Sequence, residues 1–299
     1  MCNKNMKPIC KIFISVLAIF SILGCSSKAE IKSNKTIVKT IDYTKAYQAK
    51  VRGDYKSARK LYMQACIDGS VVSCNVLGTL YEQGKGGERD YKQALVFYEK
   101  SCNNGYFEAC SNLGFLYNNG LGVKQNREKA LFLYEKSCKG NSNIGCFNLG
   151  YMYENGLSVK KNIRTAISLY QKSCENNLPK ACFSLGILYK FGKGGLTKDF
   201  KKAKKYYTKA CDNGMLRACS NLGVLYITVY KDYKKANTLF LKLCSMGDGS
   251  GCTNFGVIYE DGEGVKKDQQ KAMEYYNKGC KLGDNAGCEN LKLLESKSH

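Results

Sequence analysis

Apolar positions recur along the chain with the spacing of a helix, and the whole pattern repeats about every 36 residues. In one stretch, Cys110, Leu113, Gly114 and Tyr117 fall at i, i+3, i+4 and i+7, which places them on one helical face. The glycine recurs in six units, as Gly78, Gly114, Gly150, Gly186, Gly223 and Gly256. Glycine inside a helix costs about 1 kcal/mol relative to alanine, so its recurrence predicts a close crossing with a second helix.

A second apolar pattern precedes the first cysteine of each unit. It consists of an alanine, an aromatic residue four positions later and a cysteine four positions after that, as in Ala130, Tyr134 and Cys138. Connectors rich in glycine and lysine, such as "NNGLGVKQN", join the two helices of a unit, whereas the shortened connector at 227–232 has no glycine. Neither helix can bury its apolar face alone, but stacked pairs form one continuous core. The pattern therefore predicts an all-α fold, an α-solenoid of αα-hairpin repeats.

The solenoid is expected to occupy 42–299. It would begin with a half-repeat at 42–66, continue through six repeats of about 36 residues and end in a closing helix at 284–296.

Fourteen cysteines form pairs whose two members are eight residues apart. The predicted disulfides are Cys66–Cys74, Cys102–Cys110, Cys138–Cys146, Cys174–Cys182, Cys211–Cys219, Cys244–Cys252 and Cys280–Cys288. In each pair one cysteine ends a helix and the other begins the next, so antiparallel helices bring the side chains within disulfide range. Zinc is the alternative, but zinc ligand pairs are usually two to four residues apart and the only histidine is His299. No metal site and no cofactor are predicted.

The N-terminal residues are typical of an exported protein. Three lysines precede an apolar run of twelve residues at 12–23, which predicts a signal peptide at 1–24. The run ends in "ILGC", which resembles a lipobox and makes Cys25 a predicted site of lipidation, followed by a polar tether at 25–41. A chain with 17 cysteines is also typical of an oxidising compartment.

These features predict a periplasmic or outer-membrane lipoprotein that contacts the membrane only through its lipid. The alternative is cleavage near Ser27-Lys28-Ala29 and free secretion.

The net charge of +22 comes from 41 lysines and only six arginines. Because nucleic-acid sites depend on arginine for base reading and bidentate phosphate contacts, no nucleic-acid partner is predicted. Outside the cytoplasm a basic surface suits an anionic envelope component or an acidic protein. The alternative is that the lysines only form a solvated exterior.

Asparagine stands two residues after the second cysteine of several pairs. The candidate ligand-binding residues are Asn112, Asn148, Asn221 and Asn254. On stacked helices these amides would form a ladder, and each amide has a donor and an acceptor with which to hold an extended peptide. The alternative is that the amides bond to neighbouring helices.

The elements "C-x7-C", "LGxLYxxG" and "KAxxxYxKxC" resemble those of the Sel-like repeat family, which is related to tetratricopeptide repeats, and in particular those of the Helicobacter cysteine-rich proteins. The resemblance covers about 42–295. It implies a right-handed superhelix of disulfide-linked hairpins that is exported from a Gram-negative cell. It also implies binding or hydrolysis of β-lactams, or a secreted factor sensed by host immune cells.

Two functions follow from these observations. The favoured prediction is a non-catalytic exported scaffold, a monomer, that binds a peptide, a protein or an envelope ligand in its helical groove. The alternative is a β-lactam-binding protein or β-lactamase. The S-x-x-K motif of serine β-lactamases is matched only formally, by Ser57 to Lys60 in a helix of the repeat, and the S-D-N and K-T-G motifs are absent.

Overall fold

The computed structural model describes residues 43–297. The predicted signal peptide at 1–24, the predicted lipidation site Cys25 and the predicted tether at 25–41 therefore lie outside the described residues. Within 43–297 the chain forms fifteen α-helices and no β-strand. No helix in this range combines the length and the apolar character needed to cross a membrane.

The helices alternate as first and second members of stacked hairpins. The first helices are α3 (Val71–Gln83), α5 (Phe107–Asn119), α7 (Asn143–Asn155), α9 (Pro179–Phe191), α11 (Leu216–Leu225) and α13 (Gly249–Asp261). The second helices are α4 (Tyr91–Asn103), α6 (Arg127–Lys139), α8 (Ile163–Glu175), α10 (Phe200–Asp212), α12 (Tyr233–Ser245) and α14 (Gln269–Lys281). The all-α solenoid predicted from the sequence period is confirmed.

Additional helices cover the two ends of the array. The segment expected to be a half-repeat, 42–66, contains two helices among its described residues, a short α1 at 43–51 and α2 (Tyr55–Ile67). At the other end α15 (Asn285–Ser296) packs on α13 and α14.

The connector residues set the ends of the helices. Each second helix begins after an Asp or Asn whose side chain accepts the N–H three residues later, as Asn126 does from Lys129 at 2.8 Å. Most first helices end at a left-handed glycine, such as Gly120 at φ 68°. The connector without glycine behaves differently. There the chain forms a π-helical segment, Tyr226–Tyr230, and Lys231 adopts the left-handed conformation at φ 53°.

The helical glycines lie where the next second helix crosses. A Cβ atom on Gly114 would lie 2.8 Å from Cε1 of Tyr134, a ring that is only 3% exposed. The same relation joins Gly78 to Tyr98, Gly150 to Tyr170, Gly186 to Tyr207, Gly223 to Phe240 and Gly256 to Tyr276. The close helix crossing predicted from the recurring glycine is confirmed.

Seven disulfides join the second helix of one hairpin to the first helix of the next. They are the predicted pairs, with Cα–Cα distances of 4.4–4.8 Å. Most of these cysteines are buried, but Cys211, Cys280 and Cys288 are partly exposed. Since all fourteen sulfurs are covalently paired, they cannot be zinc ligands.

Two helices of the first-helix layer also touch directly, α5 and α7, and at the end of the array α13 touches α15.

Candidate ligand-binding groove on the first helices

Two cavities lie side by side on the layer of first helices. One, of about 420 Å³, lies between α5, α6 and α7, and the other, of about 350 Å³, lies between α7, α9 and the turn after α10. Both are lined by Phe147, Asn148 and Lys180, so they form one continuous surface, called here the first-helix groove. Its combined size is in the range of known ligand-binding sites.

Exposed aromatic rings project into this groove. Phe115 and Tyr151 each stand five residues after the second cysteine of their pair, and they are 43% and 50% exposed. Ile144 and Lys180 each stand two residues before the second cysteine of their pair. That position precedes the aromatic position by seven residues, or two helical turns, and lies on the same face of the helix. The core positions occupy the other side of the helix. These four side chains therefore remain free to contact a ligand.

The predicted asparagine ladder is held in several different ways. The amide of Asn112 donates to Oδ1 of Asn75 at 2.9 Å, and that of Asn148 donates to Oγ of Ser111 at 3.1 Å. Each of these bonds reaches back to the preceding first helix.

The other two ladder residues do not make such a bond. The Asn221 side chain donates to the carbonyl of Arg217 in its own helix at 3.0 Å, and the Asn254 side chain, in the middle of α13, makes no hydrogen bond to the described residues. All four ladder side chains are half-buried, and of these four only Asn148 lines the groove. Ligand binding by the ladder stays a prediction.

A buried tyrosine is paired with a glutamate in three of the repeats. The hydroxyls of Tyr98, Tyr170 and Tyr276 donate to Glu82, Glu154 and Glu260 at 2.6, 2.7 and 2.6 Å. Burial raises the pKa of each of these hydroxyls, and the neighbouring carboxylate raises it further. Each pair connects the last turn of a first helix to the following second helix.

The other three repeats lack this pair. In the second repeat Asn118 occupies the glutamate position, and its Oδ1 is buried without a hydrogen-bond partner. In the fourth repeat Lys190 occupies the glutamate position, and burial lowers the pKa of Lys190. The hydroxyl of Tyr207, the equivalent tyrosine of that repeat, is buried without a partner among the described residues. In the fifth repeat Phe240 has no hydroxyl and Ile227 stands at the glutamate position.

The groove carries a single charge at neutral pH. Among the residues that line its two cavities only Lys180 is charged, and it forms no ion pair with the described residues. The groove therefore combines aromatic rings and amides with one unneutralised cation.

Sequence reasoning did not identify Phe115, Phe147, Tyr151 or Lys180 as groove residues. It followed positions that are the same in every repeat, and such positions mainly form the core. The groove residues stand at helical positions that differ between repeats, such as Thr79, Phe115, Tyr151, Ile187, Val224 and Val257. A large apolar residue at a variable position on the face opposite the core is the signal that would have found them.

The formal β-lactamase motifs have structural roles. The N–H of Ser57 donates to Asp54 at 3.1 Å in the N-terminal turn of α2, and the Ser57 hydroxyl bonds to the same carboxylate. Lys60 is exposed on that helix. In addition, no cluster of His, Cys, Asp and Glu able to hold a metal ion occurs among residues 43–297. These observations give the β-lactam alternative no support.

Comparison with known proteins identifies the repeat. The model of the Sel1 repeat matches at 71–106, 107–142, 144–178, 179–215, 216–248 and 250–284. Each match contains one first helix and the second helix that follows it. A comparison with curated protein sequences gives no significant match.

Three solved structures show the likeness. A Sel1 repeat protein from Oxalobacter formigenes is 28% identical, with a TM-score of 0.71 over 80% of this chain and 98% of that one. The c5321 protein, a protective antigen of uropathogenic Escherichia coli with an SLR fold, is 29% identical over 81% of this chain, with a TM-score of 0.66. This chain covers 60% of the length of c5321.

The third structure shares the cysteine-rich character. Cysteine-rich protein B of Helicobacter pylori is 35% identical over 44% of this chain and 93% of its own length, with a TM-score of 0.36. The six repeat matches span most of the sequence and show that the chain belongs to the Sel1 repeat family.

Proposed function

We propose that this protein is an exported scaffold that binds an extended segment of a partner protein in the first-helix groove. The observation that carries the proposal is the continuity of the two cavities across α5, α7 and α9. A ligand that lies across three stacked repeats must be elongated, and a peptide segment has that shape. The repeat supplies a rigid surface, because each hairpin is held to the next by a buried covalent bond.

The groove chemistry suits a peptide. Exposed Phe115 and Tyr151 offer apolar contact area at a low cost in conformational entropy. Asn119 and Asn148 supply amide groups along the same surface, as a ligand with many main-chain N–H and C=O groups requires. A few residues carry most of the binding free energy of an interface, and tyrosine is enriched among them.

The experiment compares two double variants of the full-length oxidised protein. Phe115→Ala with Tyr151→Ala removes both rings from the groove, whereas Val96→Ala with Leu241→Ala removes exposed apolar side chains from second helices. Each protein is used to capture partners from envelope extract by cross-linking, followed by mass spectrometry. We expect the groove variant to lose, at least tenfold, the partners that the control variant and the unaltered protein retain. Equal capture by both variants would exclude the groove.

The asparagine ladder is tested separately. Asn148→Ala should weaken binding of a captured partner, because Asn148 is the ladder residue that lines the groove. Asn221→Ala is the matched control, because that amide bonds only within its own helix. Equal effects of the two changes would assign the ladder a purely structural role.

Export and anchoring belong to the same proposal. Seven disulfides indicate an oxidising compartment. We expect acylation at Cys25, so the mature protein should partition into detergent and Cys25→Ala should halt processing. A soluble mature form that begins near Glu30 would instead indicate free secretion.

A further inference from the structure

The floor of the first-helix groove holds a buried acceptor with no donor. Asn118 stands where Glu82, Glu154 and Glu260 stand in other repeats, and its Oδ1 has no hydrogen-bond partner among the described residues. The hydroxyl of Tyr134, which lines the same cavity, makes no hydrogen bond to the described residues either. Both side chains line the 420 Å³ cavity. A rotation of the Asn118 amide toward the cavity that its side chain lines would let a ligand satisfy groups that the protein itself leaves unsatisfied.

The second repeat has an asparagine where other repeats have a glutamate, so a neutral amide oxygen replaces a carboxylate, and this difference determines which ligand group can bind there. A buried acceptor without a donor is costly, so a group that supplies an N–H at Asn118 is favoured. In the first, third and sixth repeats the equivalent carboxylate is bonded to a tyrosine hydroxyl and is not free. The second repeat thus offers a neutral acceptor that suits a main-chain N–H.

The same cavity has an uncompensated positive charge. Lys180 lines it, is exposed, and has no carboxylate within ion-pair distance among the described residues. No Asp or Glu lines either cavity of the groove. A cation in a groove without acidic side chains favours a ligand with a carboxylate.

On the basis of the groove function proposed above, we propose that the groove selects a segment with an apolar side chain next to an aspartate or glutamate. The apolar side chain packs on Phe115 and Tyr151. A main-chain N–H of the segment donates to Oδ1 of Asn118, and the acidic side chain pairs with Lys180. The layer of first helices continues on both sides of the groove as α3 and α11. In this proposal the bound segment runs through the groove, and its carboxylate is that of a side chain.

The test is a selection with random linear peptides displayed on phage, whose C-termini are fused to the coat protein. The full-length oxidised protein should enrich peptides in which Asp or Glu adjoins an aromatic or aliphatic residue. Synthetic copies should bind equally with a free or an amidated C-terminus. Binding that requires the free terminus would overturn the assignment to a side chain.

Two variants and their controls assign the contacts. Asn118→Glu gives the second repeat the tyrosine–glutamate pair of its neighbours, so it should lose peptide recovery at least tenfold while keeping its thermal stability. Glu82→Asn makes the reverse exchange outside the groove and should leave recovery unchanged. Lys180→Gln should abolish the preference for acidic peptides, whereas Lys160→Gln, in an exposed connector, should not.

The outcomes separate the two proposals. If the unaltered protein enriches no peptide, the groove function fails and this inference fails with it. If it enriches peptides without acidic residues, or if their binding survives Asn118→Glu, the inference is wrong and the groove function stands. Should Asn118→Glu disturb folding, Lys180→Gln decides, because that side chain is exposed and its loss does not affect the core.

Discussion

Changing two buried tyrosines to phenylalanine should have opposite effects on stability. Tyr170 and Tyr207 are equivalent residues of neighbouring second helices, and both are fully buried. The hydroxyl of Tyr170 donates to Glu154 at 2.7 Å, whereas that of Tyr207 is buried without a partner among the described residues. The substitution removes the same single oxygen atom from both sites.

The expected magnitudes follow from the hydrogen bonding. A hydrogen bond to a charged acceptor contributes about 1.5–3 kcal/mol, and Glu154 is partly exposed, so Tyr170→Phe should cost about 1.5 kcal/mol. Removing an unsatisfied buried hydroxyl recovers its desolvation free energy, so Tyr207→Phe should be neutral or stabilise by about 1 kcal/mol. The fifth repeat already has Phe240 at this position, which shows that the packing accepts the ring without its hydroxyl.

Denaturant titration followed by circular dichroism measures both changes in the free energy of unfolding. The two variants should differ by about 1.5–2.5 kcal/mol, which corresponds to roughly 3–10 °C in melting temperature for a chain of this size. Hydrogen exchange of α8 and α10 would show where the change acts. If both variants lose the same free energy, the carboxylate is not the reason for the stability of the pair.

Three further predictions concern the core and the disulfides. Changing Cys138 and Cys146 together to Ala should lower the free energy of unfolding by about 2.5 kcal/mol, because the loop of nine residues is no longer closed in the unfolded chain. A loss below about 0.5 kcal/mol, measured by denaturant titration, would contradict this. Gly186→Ala should destabilise the folded protein by about 1–2 kcal/mol, because the added Cβ would lie 2.4 Å from Cδ1 of Tyr207 and the resulting strain exceeds the gain in helix propensity. An unchanged or higher melting temperature would show that α9 and α10 can move apart at no cost. Burial raises the pKa of Tyr62 and Tyr207 to about 12, so the stability they confer is complete below about pH 10 and is lost as the pH rises through the folded-state value. The difference in alkaline absorbance between the unaltered protein and a Tyr62→Phe, Tyr207→Phe variant isolates these two tyrosinates, which should form together with loss of helix. Formation of these two tyrosinates in a fully helical protein would refute this.

The fold follows from the sequence because its determinants are local. A helical glycine, an alanine and an aromatic residue within one repeat define the crossing, as Gly114, Ala130 and Tyr134 do. Both cysteines of each disulfide lie within nine residues, so the pairing depends on a single turn. The π-helical segment Tyr226–Tyr230 could not be predicted in the same way, because a shortened connector shows that the turn must change but not how.

The groove depends on relations between repeats, and these are harder to derive. Asn112 and Asn148 occupy identical positions in the sequence, yet one meets Asn75 and the other meets Ser111 on the preceding helix. Which partner an amide finds is fixed by the register of two stacked helices and by a residue 37 positions away. The significance of Asn118 likewise appears only beside the tyrosine–glutamate pairs of the other repeats.

The disulfides also limit how far this molecule can be stretched. Eight peptide units separate the two cysteines of each pair and would span about 28 Å when fully extended. The bridge holds the two Cα atoms at 4.4–4.8 Å, so about 23 Å of contour length is withheld at every junction. Under tension the pulling force passes through sulfur and bypasses the turn between hairpins. The seven disulfides together shorten the fully extended chain by about 160 Å. A tethered molecule unfolded by force should therefore be longer by that amount when its disulfides are reduced than when they are intact.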